Sequence, residues 1–98
     1  MTAVEVRCHR APTDGWACEV RVLDGATTLT THEVRVQAAD LARLAPGSDD
    51  PTELVERSFG FLLEREPPGS ILRAFDLPAI GRYFPEYESA IRRSERRG

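Results

Sequence analysis

Two cysteines and a histidine in the first third of the chain are the residues best suited to chemistry. Cys8 and Cys18 lie on two predicted strands, and a five-residue loop between those strands places the cysteines opposite each other. One register of the following strand adds His32 to the same face. Buried cysteines in a reducing cytosol are mostly free thiols, so we predict free, metal-free thiols. A disulfide and a three-ligand zinc cluster are the alternatives.

Other patterns of catalysis and nucleotide binding are absent from the sequence. It contains no GxSxG, GxGxxG or Walker motif, and no lysine for a Schiff base. Glu64 and Glu66 flank Arg65 near the end of a predicted helix, and we expect them to form an ion-pair network with Arg73 or Arg82. We therefore expect no cofactor and assign no catalytic residue, and the sequence leaves enzymatic activity undecided.

The distribution of charge disfavours nucleic acid as a partner. Residues 1–88 carry 9 arginines and 15 acidic residues, whereas residues 89–98 carry 4 arginines and 1 glutamate. Because binding to nucleic acid depends on neutralising phosphates, an acidic body opposes it. Segment 71–84 has the spacing of a helix-turn-helix, but Arg82 is the only basic side chain in its second helix. A nucleic-acid-associated regulator that uses this segment and the arginine tail is thus the second hypothesis.

Aromatic residues are concentrated near the C-terminus. Tyr83, Phe84 and Tyr87 lie close together in the sequence, and Arg92 and Arg93 follow them. Aromatic and arginine side chains are enriched in protein interfaces. Since one small sheet covers few large apolar groups, these five residues predict a surface for a protein partner or for a homo-oligomer.

The first third of the chain predicts three strands. Apolar and polar residues alternate over 4–8 and 16–22, and a threonine-rich run at 27–36 continues the pattern. Turn residues separate these segments at 12–15 and at 24–25. The strands should therefore pair in sequence order as an antiparallel meander.

The second turn decides which residues of the third strand are buried. A two-residue turn directs Val34 and Val36 away from the valines of the second strand, because one residue of slip reverses every side chain. A three-residue turn with Gly25 in the left-handed conformation unites the valines and pairs Cys18 with Thr30. We prefer the three-residue turn.

The remainder of the chain predicts helices. Asp50 is a good N-cap, Pro51 suits the first helical position, and the apolar spacing continues to about Glu64. The other predicted helical segments are 39–44, 71–75, 77–84 and a last helix that begins at Pro85. The fold class is therefore α+β, with a three-stranded antiparallel β-meander followed by three to four helices packed on one face.

The C-terminal half carries a resemblance to a known group of sequences. The segment FLLEREPPGSILRAFDLPAIGRYFPEY, residues 61–87, resembles the ending of a family of small uncharacterised bacterial proteins. The shared pattern is FLLERE…SIL..FDL..I..YFPEY, and it follows a threonine-rich strand. The resemblance implies that this segment is a family signature, and it implies no activity for any residue.

Length and composition indicate a single domain over residues 1–98. The sequence is 41% hydrophobic and 30% charged, which is ordinary for a globular protein. No apolar run approaches the ~20 residues that span a bilayer, and the first residues lack a signal-peptide pattern. We expect a cytoplasmic protein without membrane contact. The leading hypothesis is a non-enzymatic interaction or regulatory module, and a small metal- or thiol-dependent enzyme built on the two cysteines and His32 is another alternative.

Overall fold

The N-terminal third of the chain folds into an antiparallel meander. This fold is seen in a computed structural model that describes residues 2–97, and the side chains of residues 2–93. The first three strands are β1 (Thr2–Ala11), β2 (Gly15–Asp24) and β3 (Thr27–Gln37). The pairing of β1 with β2 places Cys8 directly opposite Cys18, as the sequence predicts. Gly15 lies so close to the backbone of β3 that a side chain there would collide with the Val36 carbonyl.

The register between β2 and β3 differs from the preferred prediction. The two-residue turn begins with Gly25, whose φ of 61° supplies the positive value that such a turn needs at its first position. Leu29 then bulges out of β3, and this extra residue returns the valines to one face. The predicted union of the valines is therefore confirmed, but Cys18 lies opposite Val34 and not opposite Thr30.

A fourth strand, which the sequence pattern did not predict, lies beside β3. β4 (Ala74–Asp76) runs parallel to β3, which gives a mixed four-stranded sheet in the order β1-β2-β3-β4. The predictions of a three-stranded sheet and of a helical turn at 71–75 are therefore wrong. The physical reason is that the edge of β3 is free to form backbone hydrogen bonds with this segment. The Glu33 N–H, for example, donates a hydrogen bond to the Arg73 carbonyl at 2.8 Å.

Helices form most of the second half of the chain. They are α1 (Ala38–Leu44), α2 (Thr52–Leu63), α3 (Ile80–Tyr83) and α4 (Tyr87–Arg97), with 3₁₀ turns at Pro68–Ser70 and Leu77–Ala79. The N-cap of α2 is Pro51, one residue later than predicted, and the Asp50 carboxylate accepts a hydrogen bond from the Thr52 N–H at 2.8 Å beside it. Hydrogen bonding from the Thr52 side chain, and next from the Thr52 N–H, lowers the pKa of Asp50. The helix predicted over 77–84 is divided between a 3₁₀ turn and the short α3.

One face of the sheet packs against the helices and forms the core. Phe59 of α2 is fully buried, with its ring centroid 5.2 Å from that of His32 and 6.2 Å from that of Phe75. The opposite face of the sheet carries mostly charged and polar side chains, namely Glu5, Arg7, His9, Glu19, Arg21, Thr31, Glu33 and Arg35. This layering, with a mixed sheet and helices on one side, is an α+β fold.

Within residues 2–97, none of the helices is long and apolar enough to cross a membrane.

Candidate partner-binding surface

The structure divides the five residues of the predicted partner surface into two groups. Tyr83 is 66% exposed, and Arg92 and Arg93 are also exposed. Phe84 is half-buried. Tyr87 is only 2% exposed and lies in the core, so its inclusion in the surface is corrected. The physical reason is that Tyr87 begins α4 and points toward α2, where its hydroxyl finds a buried partner.

The hydroxyl of Tyr87 belongs to a buried hydrogen-bond chain. Ser58 Oγ donates to the Leu54 carbonyl at 2.7 Å, so its single proton is used there. The Tyr87 hydroxyl, 2.7 Å away, therefore donates to Ser58 Oγ. Burial raises the pKa of Tyr87 to about 12, and the bond to Ser58 opposes that rise. Tyr87 thus fastens α4 to α2 and remains protonated at neutral pH.

A shallow apolar groove lies beside Tyr83. Its lining residues are Leu62, Glu66, Leu72, Phe75, Ala79, Ile80, Tyr83 and Phe84. Leu72, at 49% exposure, and Tyr83 are two large apolar side chains that face solvent on the same groove. The groove has a volume of about 30 Å³. Small-molecule sites usually offer ~300–1,000 Å³, so this groove suits the end of one side chain rather than a substrate.

Aromatic and ionic contacts behind the groove fix its position. The Phe84 and Phe61 rings pack edge to face at a centroid distance of 5.9 Å. The Arg65 guanidinium lies 3.6 Å from the centre of the Phe61 ring, and its Nε is 3.3 Å from a Glu86 carboxylate oxygen. These contacts hold the connection between α3 and α4 against the end of α2, so the groove is supported by packed elements.

The two carboxylates at the end of α2 have different surroundings. Glu64 lies 3.6 Å from the Arg65 guanidinium, whereas the predicted ion-pair partners were Arg73 and Arg82. Glu66 lines the groove and forms no ion pair within the part of the chain that the structure describes. The groove therefore has an apolar floor with one unpaired carboxylate at its side.

The prediction of free thiols is wrong. Cys8 and Cys18 form a disulfide across β1 and β2, with their Cα atoms 4.0 Å apart. Directly opposite positions on paired strands bring two sulfur atoms within bonding reach, which is the alternative that the sequence left open. Residues 2–97 hold no group of three or more His, Cys, Asp or Glu residues placed to bind a metal. The zinc cluster with His32 is therefore also corrected.

The His32 ring uses both nitrogens inside the core. Nδ1 donates to the Leu72 carbonyl at 2.7 Å, so the neutral ring presents Nε2 as an acceptor for the Thr30 hydroxyl at 2.8 Å. Burial lowers the pKa of His32, the Leu72 bond opposes this, and the nearby charge of Arg73 lowers the pKa further. His32 therefore supports the segment that carries Leu72 and has no free nitrogen for catalysis.

We expect the free energy of unfolding to decrease as the pH falls from about 7 to about 5. The unfolded chain, with a histidine pKa near 6.5, binds the proton more readily than the folded chain, where the pKa of His32 is lowered. The contribution of His32 to the free energy of unfolding is therefore fully present above about pH 6.5, and it is lost progressively as the pH falls below that value. Urea titrations at several pH values measure this dependence.

Two variants assign that pH dependence to one residue. His32→Gln should flatten the curve between about pH 7 and 5, because carboxylates titrate mainly below this range. His9→Gln is the matched control, since His9 is exposed on the open face of the sheet. An equal slope in wild type and His32→Gln would assign the effect to another group.

The segment 71–84, which was predicted to resemble a helix-turn-helix, has a different structure. Residues 71–84 form β4, a 3₁₀ turn and the four-residue α3, so the first helix of that motif is replaced by a strand. Arg92 lies 3.8 Å from Glu88, and Arg93 donates to the Ser89 carbonyl at 3.4 Å. The side chains of residues 94–97 lie outside the described part. The helix-turn-helix interpretation is therefore corrected.

Comparison of the chain with protein-family models, with curated proteins and with solved structures gives no match in any of the three. The resemblance of residues 61–87 to small bacterial proteins thus stays a prediction.

Leu72 is a surface residue that the sequence pattern did not reveal, because it falls in the segment 71–75 that was predicted as a helical turn. In the observed extended segment, Ile71 and Phe75 are buried and Leu72 is turned outward beside Tyr83. The signal that could have revealed this is the open edge of β3, which can recruit a further strand from any apolar segment.

Proposed function

We propose that this protein is a small non-enzymatic interaction module whose groove receives a side chain of another protein. The observation that carries the proposal is the joint exposure of Leu72 and Tyr83 on one supported apolar groove. Interfaces are built around aromatic and aliphatic anchors that lose water on binding. Phe84 is held in place by its contact with Phe61, so the groove is preformed in the unbound protein. A preformed groove reduces the entropy lost on association.

The chemistry of the groove specifies its occupant. An apolar side chain fits between Leu72 and Tyr83, and the unpaired Glu66 favours a basic residue next to it. The partner segment therefore presents a large apolar residue adjacent to arginine or lysine. This charge preference contributes mainly to specificity, because Glu66 is partly exposed and salt screens such pairs.

Selection from a random peptide library displayed on phage tests this proposal. We expect peptides selected on the wild-type protein to share an apolar residue beside a basic one. Leu72→Ser should weaken their binding by about tenfold or more, since a buried leucine side chain contributes ~1.5–3 kcal/mol and ~1.4 kcal/mol is tenfold in affinity. Glu66→Gln should reduce the preference for the basic residue.

Leu29→Ser is the matched control for the library experiment. Leu29 is 46% exposed, close to the value for Leu72, but it lies in the bulge of β3, and Leu72 precedes β4. Both substitutions should change stability by no more than ~0.5 kcal/mol, because both residues are exposed. Selected peptides that bind Leu72→Ser as tightly as wild type would contradict the proposed groove.

The cytoplasmic location expected from the N-terminus stays a prediction. Disulfides persist mainly in oxidising compartments, so the Cys8–Cys18 bond bears directly on it. Alkylation of thiols in intact cells, followed by mass spectrometry of the chain, measures whether Cys8 is bonded in its native setting. An alkylated Cys8 supports a reducing compartment, and a protected one contradicts it.

A further inference from the structure

The outer edge of β1 is a long strand edge with open backbone groups. β1 spans 10 residues at one end of the sheet, while β4 at the other end spans 3. Its pairing with β2 contains no bulge, and its sequence contains no proline. Within residues 2–97, the backbone of β1 forms strand hydrogen bonds with β2 alone. Natural proteins usually shorten, bend or cover such an edge, because it can pair with another strand.

The side chains of β1 separate into two different faces. Val4, Val6 and Cys8 point toward the helix layer and are half-buried. Glu5 and Arg7 project from the open face and are exposed. A strand that pairs with this edge must therefore offer apolar residues on one face and complementary charges on the other.

We propose that β1 pairs antiparallel with β1 of a second copy of this chain, about a twofold axis at Val6. The two four-stranded sheets then join into one continuous sheet. In this register Val6 lies opposite Val6 of the second copy, and Val4 lies opposite its Cys8. On the open face, Glu5 lies opposite Arg7 of the second copy, and the symmetry forms this pair twice.

The charges select this register among the symmetric alternatives. Opposite residues must share a face, so the twofold axis has to coincide with a residue. An axis at Glu5 places Glu5 opposite its own copy, and an axis at Arg7 does the same to Arg7. Like charges in directly opposite positions are destabilising. Only the axis at Val6 pairs these residues with opposite charge.

The neighbouring strands extend this complementarity across the sheet. Glu5 already forms an ion pair with Arg21, its partner position on β2. Arg7 lies opposite Glu19 on β2. Across the joined edge the row therefore reads Arg21, Glu5, then Arg7 and Glu19 of the second copy, with the sign of the charge alternating at each step. Each charge at the joined edge lies between two charges of opposite sign, which identifies a second copy as the occupant.

Charge exchange tests the pairing in solution. We expect the wild-type protein to show a reversible monomer–dimer equilibrium by sedimentation equilibrium at concentrations up to about 1 mM, the weak end of specific affinities. Glu5→Arg alone and Arg7→Glu alone should each weaken dimerisation by about tenfold or more, because each creates two like-charge pairs. An equimolar mixture of the two variants should restore the dimer, since every opposed pair then carries opposite charges.

Two controls separate the interface from effects on folding. Glu33→Arg changes the charge of the same open face on β3, away from the edge, and should leave the dimer unchanged. Thermal unfolding followed by circular dichroism reports whether each variant is folded. A wild type that remains monomeric at about 1 mM would overturn the proposal, as would single variants that dimerise as well as their mixture. Leu72→Ser should dimerise normally, so the two proposals fail independently.

Discussion

Replacing Phe59 with alanine is expected to lower the free energy of unfolding by ~3–5 kcal/mol. Phe59 projects from α2 onto the sheet and is fully buried, and its ring contacts those of His32 and Phe75. The substitution removes this contact area and leaves a cavity that the packed surroundings fill only in part. Domains of this size have a total stability of ~5–15 kcal/mol, so the variant should be close to unfolding at physiological temperature.

Urea titration measures the effect of Phe59→Ala, and Leu29→Ala provides the comparison. Leu29 is 46% exposed, so its truncation should change stability by no more than ~0.5 kcal/mol. A loss below about 1 kcal/mol for Phe59→Ala would show that Phe59 does not occupy the centre of the core.

Removal of the disulfide is expected to cost about 2–4 kcal/mol. The bond between Cys8 and Cys18 closes a loop with a sequence separation of 10, and it restricts the unfolded chain. The variant with both cysteines replaced by alanine loses this restriction. Urea titrations of the wild type and of this variant, each with and without a phosphine reductant, measure the effect.

The reductant distinguishes the disulfide from the packing of the cysteine side chains. It should lower the stability of the wild type toward that of the double-alanine variant, and it should leave the double-alanine variant unchanged. Cys18 is 1% exposed, so the folded protein should react slowly and the reductant should act mainly on opened molecules. Two titratable thiols in wild-type protein that was denatured without reductant would refute the bond.

Features that depend on local pattern could be predicted from the amino-acid sequence. Alternation of apolar and polar residues located β1 and β2, and the turn between them fixed Cys8 opposite Cys18. The side chain of Asp50 and the apolar spacing after it located α2 to within one residue at each end. These predictions succeed because side-chain periodicity and capping act over a few neighbouring residues.

Features that depend on partners far away in the sequence could not be predicted from local pattern. The segment around Phe75 became β4 because the edge of β3 offered backbone hydrogen bonds, although its apolar spacing also suits a helical turn. The bulge at Leu29 set the register of β3, and many turn and bulge combinations satisfy the same alternation. A local pattern cannot choose between such alternatives, since their energies depend on backbone and side-chain partners that are distant in the sequence.

The same limit applies to the candidate surface. Composition indicated a surplus of aromatic residues, but it could not separate the buried Tyr87 from the exposed Tyr83. Ser58, 29 positions earlier, supplies the buried hydrogen bond that draws Tyr87 into the core. Leu72 faces solvent beside Tyr83, in the segment that precedes β4, where its carbonyl accepts the hydrogen bond from His32. The sequence supplied the side chains of the groove, and long-range backbone pairing and one buried hydrogen bond decided which of them face solvent.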